Sequence, residues 1–215
     1  RDGGDAEIFR RINTFGNTIK WGTRVVPIKE AIHPNTKILP YQEFEELLMR
    51  SESTGVSECW CRTTFKNCDA PTNTCIHLAF PGNRLNLMES GHVTKMGREE
   101  IRKVIDRAEK AGLVHEVVCA GDDNSYYVIC NCCTCCCAGL RGLVEFGNKL
   151  VARSEFVPEI ETAKCTGCGT CLKRCRFKAR TVANGKASVD TEKCMGCGLC
   201  STGCPNKASF LVKRA

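Results

Sequence analysis

Eight cysteines near the C-terminus fall into two runs of one form. Residues 164–208 read KCTGCGTCLKRCRFKA, a spacer, then KCMGCGLCSTGCPNKA, with cysteines at 165, 168, 171 and 175 and again at 194, 197, 200 and 204. Each run is C-x2-C-x2-C-x3-C. The halves repeat at a constant offset of 29 residues, the mark of an internal duplication. Thiolates at this spacing hold two cubane iron–sulfur clusters, the fourth cysteine of each run serving the other half's cluster. The chemistry on offer is one-electron transfer.

Eleven further cysteines lie upstream. Cys59, Cys61, Cys68 and Cys75 are spaced C-x-C-x6-C-x6-C. Four thiolates suit one cubane or one tetrahedral zinc, although zinc ligands usually have two to four residues between them. A bland alternative is that some are buried structural thiols. Cys130, Cys132, Cys133, Cys135, Cys136 and Cys137 put six thiols in eight residues, a density that packing does not explain. In an extended segment Cys130 and Cys132 share one face, and Cys133 and Cys135 share another. The run can line a cluster on each side, or complete a cluster begun by the 59–75 set. The ten cysteines are therefore expected to hold at least one additional iron–sulfur cluster. His33, His77, His92 and His115 read as hydrogen-bonded structural residues rather than ligands.

The elements that must position these thiols form an α+β pattern. Ile8, Ile12 and Phe15 have helical spacing, and residues 21–28 alternate like a strand. Residues 41–52 predict a helix with Phe44, Leu47 and Leu48 on one face, followed by a strand over 56–61 that delivers the first cysteines. Residues 98–111 predict a helix with Ile101, Val104, Ile105 and Ala108 inward and Gly112 as its stop. Strands over 113–119 and 126–130 follow, joined by a turn at 121–124. Helix then hairpin is how a winged helix ends, so the N-terminal domain is expected to be a mixed helix and hairpin fold of winged-helix type. The helix mixes five cations with four anions and reads as an ordinary solvated face, not a DNA-reading one. Gly139 and Gly142 are expected to let the backbone approach a bulky cofactor. Residues 140–153 predict a helix, and Pro158 marks a boundary between domains 1–156 and 157–215. In the second, Asn184-Gly185 signals a hairpin, and strands are expected over 156–161 and 210–212.

Charge is unevenly placed. The net charge is +7, and residues 157–215 hold 11 Lys/Arg against 4 Asp/Glu, while residues 1–156 hold 20 of each. Two cubanes with their thiolates would lower the total to about +3, so much of the excess offsets cofactor charge and nucleic-acid binding is not needed to explain it. An odd count of 19 cysteines, many adjacent, suits metal binding better than a disulfide framework. No apolar run approaches a membrane span, and no signal segment is visible. These features predict a reducing cytoplasm, and an anaerobic one because exposed thiolates and clusters oxidise.

The C-terminal repeat resembles the bacterial-type two-cluster ferredoxin domain. The resemblance implies that Cys165, Cys168, Cys171 and Cys204 bind one [4Fe–4S] cluster and that Cys194, Cys197, Cys200 and Cys175 bind the other. Cys204 is followed by the family's proline, Pro205, but Cys175 is followed by Arg176, a cation expected to raise the potential of the cluster that Cys175 completes. The whole chain also resembles a group of anaerobe iron–sulfur proteins, through Cys59-Trp60-Cys61-Arg62 and the run Val128-Ile129-Cys130-Asn131-Cys132-Cys133-Thr134-Cys135-Cys136-Cys137. That likeness implies a redox role.

The expected function is electron transfer, alone or as a subunit of a larger oxidoreductase, between the two C-terminal clusters and further clusters in residues 59–137. Lys173, Arg174, Arg176, Lys178 and Arg180 are expected to dock an acidic donor such as a flavodoxin or another ferredoxin. One alternative is a reductase or reductive activase with its chemistry at the upstream cysteines. A second is an iron–sulfur-sensing DNA-binding regulator. No nucleotide fingerprint or hydrolytic triad supports a named reaction.

Overall fold

Hydrophobic periodicity sets the elements, and cysteines interrupt them at their ends. The computed structural model describes residues 2–18, 22–27, 40–80, 87–120 and 126–214. His33 and the 121–124 turn lie outside the described residues. The chain divides into two compact units, 1–24 with 46–152 and 25–45 with 153–215.

The first unit holds α1 (Asp2–Thr18), β1 (Gly22–Val25), the C-terminal half of α2 (Pro40–Arg50), β2 (Ser53–Glu58), α3 (Trp60–Phe65), β3 (Asn73–Ala79), β4 (Thr94–Lys95), α4 (Arg98–Lys110), β5 (Val114–Ala120), β6 (Tyr126–Cys132), α5 (Ala138–Phe146) and β7 (Val151–Ala152). Its sheet runs β4-β2-β3-β6-β5-β1-β7. The β2, β3, β5 and β6 pairings are antiparallel, and β1 with β7 is parallel. On α4, Ile101, Val104, Ile105 and Ala108 are buried as their spacing predicts, and the helix packs on β2 and β3. Ile101, Val104 and Ile105 each contribute about 1.5–3 kcal/mol by leaving water. Gly112, at φ +68°, follows the helix end.

Three expectations are corrected here. The helix–hairpin order is present, but the hairpin is no free wing: β6 pairs β3 on one side, and β5 neighbours β1 on the other. A winged helix needs that hairpin free to reach DNA. The strand expected over 56–61 stops at Glu58, and Cys61 lies on α3, where Thr63 N–H and Oγ1 donate to the Cys59 carbonyl at 3.0 and 3.1 Å. On α1 the buried residue is Phe9, while Ile8 is exposed. Phe9 stacks on Phe65 and Phe146 at 5.4 and 4.7 Å, with the Arg141 guanidinium 5.2 Å from its ring.

The second unit carries β8 (Phe156–Ile160), α6 (Thr170–Arg174), β9 (Arg180–Ala183), β10 (Lys186–Val189), α7 (Leu199–Thr202) and β11 (Ser209–Lys213). β8 pairs antiparallel with β11, and β9 with β10. The β9–β10 turn places Asn184 and Gly185 at φ 50° and 70°, the left-handed pair that a two-residue hairpin needs.

Candidate functional site

The C-terminal duplication is visible in the geometry. Gly167 and Gly196, 29 residues apart, take φ +68° and +71°. A Cβ on Gly167 would lie 2.5 Å from the Gly185 carbonyl oxygen, and one on Gly196 would lie 2.2 Å from that of Phe156. Only glycine fits either place. The thiols receive matching backbone donors. Ala179 N–H donates to Cys175 Sγ at 3.2 Å, and Ala208 N–H, 29 residues on, to Cys204 Sγ at 3.3 Å. Ala187 N–H donates to Cys165 Sγ at 3.4 Å, and Gly196 N–H to Cys194 Sγ at 3.4 Å. Such donors stabilise thiolates and tune any metal they bind.

The eight cysteines surround two cavities. Cys165, Cys168, Cys171 and Cys204 line one; Cys175, Cys194, Cys197 and Cys200 line the other. Cys168 is exposed, whereas Cys194 and Cys200 are buried, so the first cavity is the more open to solvent.

Arg180 lines both cavities. It is 5 % exposed, its Nη2 donates to Ser209 Oγ, and its Nε and Nη1 are buried without a protein acceptor. Two unsatisfied donors on a buried cation are costly, and anionic sulfur clusters in the flanking cavities would satisfy them. The donor set therefore fits the clusters. It also corrects the docking expectation, because Arg180 is interior. Arg174 donates through Nε to the Leu199 carbonyl at 2.7 Å, while Lys173 and Lys178 are exposed.

Upstream, the ten candidate cysteines sort into a ring of six and a group of four. The eleventh, Cys119, is on β5. The ring is built across the sheet. Cys130 on β6 pairs with Glu116 on β5, and Ile76↔Ile129 sets Cys75 of β3 beside Cys130. Thr23 of β1 extends the row, its Oγ1 donating to Glu116 Oε1 at 3.0 Å. A bulge between Ser57 and Glu58 shifts the β2–β3 register next to Cys75, a device that re-aims side chains beside sites. Cys132 falls on the Cys130 face by strand alternation. Cys59 and Cys61 come from the start of α3, and Cys137 caps α5, accepting from Leu140 N–H at 3.5 Å. Each thiol interacts with the next in the order 59, 61, 137, 132, 130, 75 and back to 59.

The ring surrounds a cavity of about 290 Å³ whose wall also includes Glu116, Gly139, Val118, Ile12 and Trp60. Acidity alternates around it. Hydrogen bonds from neighbouring thiols push Cys59, Cys130 and Cys137 down, and push Cys61, Cys75 and Cys132 up. Six adjacent sulfurs cannot all carry charge; cationic iron removes that conflict, and the ring fits an additional iron–sulfur cluster.

Glu116 was absent from the sequence expectation. It is 1 % exposed, and burial, followed by the charge at Cys137, pushes its carboxyl well up. The signal was a His-Glu pair inside an apolar strand. Gly139 lines the ring cavity as expected, but Gly142 packs instead against Asn148 and Phe9.

Cys68 does not join Cys59, Cys61 and Cys75. Lys66 adopts a left-handed φ of 51°, and the loop beyond it carries Cys68 to Cys133, Cys135 and Cys136, the four sulfurs lying within 4.8 Å of one another. Arg62, of the C-x-C-R motif, stands between the two thiol sets. It is 2 % exposed, donates from Nη1 to the Asn131 carbonyl at 2.8 Å and from Nη2 to Thr74 Oγ1, and its Nε has no protein acceptor. Burial opposes its charge, which Cys59 and Cys133 stabilise.

Two of the histidines are hydrogen-bonded within the sheet region. His115 bonds Asn131 Oδ1 and Glu109 Oε2, and His77 bonds Ser57 Oγ at 2.7 Å. His92 is exposed.

With this geometry in view, the sequence family of the 4Fe–4S dicluster domain matches residues 157–205. That segment is a two-cluster [4Fe–4S] domain, and the upstream cysteines add a further metal-binding region. No curated protein matches the chain. Among the described residues no helix is long and apolar enough to cross a membrane.

Proposed function

We propose that this chain is an electron carrier, working alone or as the redox subunit of a larger oxidoreductase, with electrons passing between the dicluster domain and the six-thiol ring. The observation that carries this reading is the exchange of fourth cysteines: Cys204 lines the first-half cavity and Cys175 the second-half cavity. It supports Cys165, Cys168, Cys171 and Cys204 as one ligand set and Cys194, Cys197, Cys200 and Cys175 as the other. Clusters bound there supply one-electron exchange without bond breaking.

The chain's own residues set the terms of that exchange. Backbone N–H groups donate to the sulfurs of Cys165, Cys175, Cys194 and Cys204, and Arg180 favours the more reduced, more negative state at both sites. The exposed Cys168 edge and the Lys173 and Lys178 cations suit an acidic donor, a flavodoxin or ferredoxin. The domains 1–156 and 157–215 then divide the work between a particular site and its electron supply. The likeness of the C-W-C-R and CNCCTCCC segments to iron–sulfur proteins of anaerobes supports a reducing cytoplasmic setting.

A reductive titration of the anaerobic chain, followed by electron paramagnetic resonance, tests the proposal. Uptake of more than about two electrons per chain is expected, since each cubane takes one. Uptake of two or fewer contradicts a redox role for the ring.

Glu116 favours a second reading, in which the ring is the site of a reduction and the protonated carboxyl supplies a proton. A Glu116→Gln variant that retains its iron and electron uptake but loses proton uptake coupled to reduction would favour that reading over simple relay.

A further inference from the structure

Four upstream thiols stand too close together for the cofactor that their neighbours fit. Sγ separations are 3.7 Å for Cys68–Cys133, 3.9 Å for Cys68–Cys136 and 3.9 Å for Cys135–Cys136. All four lie within 4.8 Å of one another. Four sulfurs bound at about 2.3 Å to one tetrahedral ion stand about 3.8 Å apart. On a cubane each sulfur lies outward of a different iron, which spreads the four to roughly 6 Å. A disulfide would need about 2 Å.

We propose that Cys68, Cys133, Cys135 and Cys136 form a mononuclear tetrahedral site, separate from the iron–sulfur clusters, and that it binds zinc. The surroundings suit a closed structural ion. Cys133 and Cys136 are buried with Ala108 and Leu113, and Phe65 and Ala70 pack against them. Four protein thiolates leave no open position, the mark of a structural rather than catalytic zinc site. Tetrahedral S4 sites select zinc or iron, and iron(II) is low in the affinity order of divalent metals. Asn67 N–H donates to Cys136 Sγ at 3.3 Å, and its side-chain amide donates to the Cys135 carbonyl at 2.8 Å. Cys133 stabilises the charge of the buried Arg62 guanidinium, and that cation offsets part of the negative charge that four thiolates would leave around a dication.

The consequence is a brace. Cys133, Cys135 and Cys136 lie in the turn between β6 and α5, where Cys137 N–H donates to the Cys133 carbonyl at 3.2 Å. That turn separates ring residues Cys130 and Cys132 from ring residue Cys137. An ion pinning it to the Cys68 loop fixes three of the six ring thiols, and zinc has no redox chemistry to divert electrons.

The test is a zinc, iron and sulfide count on the full chain purified without oxygen from medium replete in both metals. Wild type is expected to hold one zinc per chain. Cys135→Ser should lose it with iron and sulfide unchanged, and should then release its upstream iron to a chelator several-fold faster. Cys135→His should keep the zinc, because three cysteines and a histidine also make a tetrahedral site. Wild type without zinc overturns the proposal, as does loss of iron from Cys135→Ser with or without sulfide in place of zinc. If Cys135→Ser does not fold, the wild-type count and Cys135→His decide.

Discussion

The dicluster domain and the upstream cysteine region use one side chain in opposite ways. In the C-terminal unit eight thiols stand back around two cavities, in loops that turn at Gly167 and Gly196 with positive φ. Among the described residues, ligand atoms gather within 4.8 Å in groups of three or more only upstream, as the four sulfurs of Cys68, Cys133, Cys135 and Cys136, and as two sulfurs, Cys132 and Cys137, with the Glu116 carboxylate. Spacing along the chain explains the contrast. Two intervening residues and a glycine turn a loop around a cubane. Adjacent cysteines in a tight turn converge on one point, and cysteines on neighbouring strands form a row.

If the regions are independent in this way, breaking one should spare the other. Cys130→Ser is expected to remove the ring's iron and sulfide, about four of each or more, while the dicluster domain keeps about eight. Metal analysis reads this directly, and a matched loss from both regions would merge them. Gly196→Ala is the reverse cut. Its Cβ meets backbone, so a destabilisation of about 3 kcal/mol or more should fall on the dicluster domain, seen as early loss of its iron on denaturant titration.

The upstream unit should also differ in its response to acid. Burial lowers the pKa of His77 to about 4. With the folded value below the unfolded one, the unfolded chain binds the extra proton. The stabilising contribution is complete above about pH 6.5 and is lost as pH falls toward 4. That amounts to about 3 kcal/mol. His77→Gln is expected to flatten the stability slope between pH 6.5 and 5 relative to wild type; parallel slopes would remove His77 from the account.

The smallest effect belongs to Arg180. Arg180→Gln removes a cation beside both cluster sites, so both potentials are expected to fall, by roughly 50–100 mV. A shift at one site alone would place the guanidinium nearer that site. No shift would make it a packing residue.

The C-terminal site was legible because its ligand spacing is local and printed twice. Even the exchange of Cys175 and Cys204 follows from the run itself. The upstream arrangement was only half legible. Alternation along β6 separates Cys130 and Cys132 from Cys133 and Cys135, but Cys75 and Cys68, which join the two sets, are 55 or more residues away; the β3–β6 register brings in Cys75. Even six-residue gaps grouped Cys68 with Cys59, Cys61 and Cys75. The left-handed Lys66 breaks that grouping, and no glycine announced it. Arg180 read as one more surface cation after Lys178, and burial between two cavities leaves no trace in local sequence. Glu116 left one local trace, the His-Glu pair inside an apolar strand.

Iron and acid-labile sulfide per chain, measured on the intact protein purified without oxygen, test the central claim most directly. Two [4Fe–4S] clusters and a ring-bound cluster predict about twelve or more of each, in equal amounts. A count of about eight, with the six ring thiols free to alkylation, would contradict a cluster at the ring and leave the dicluster domain as the chain's whole redox apparatus.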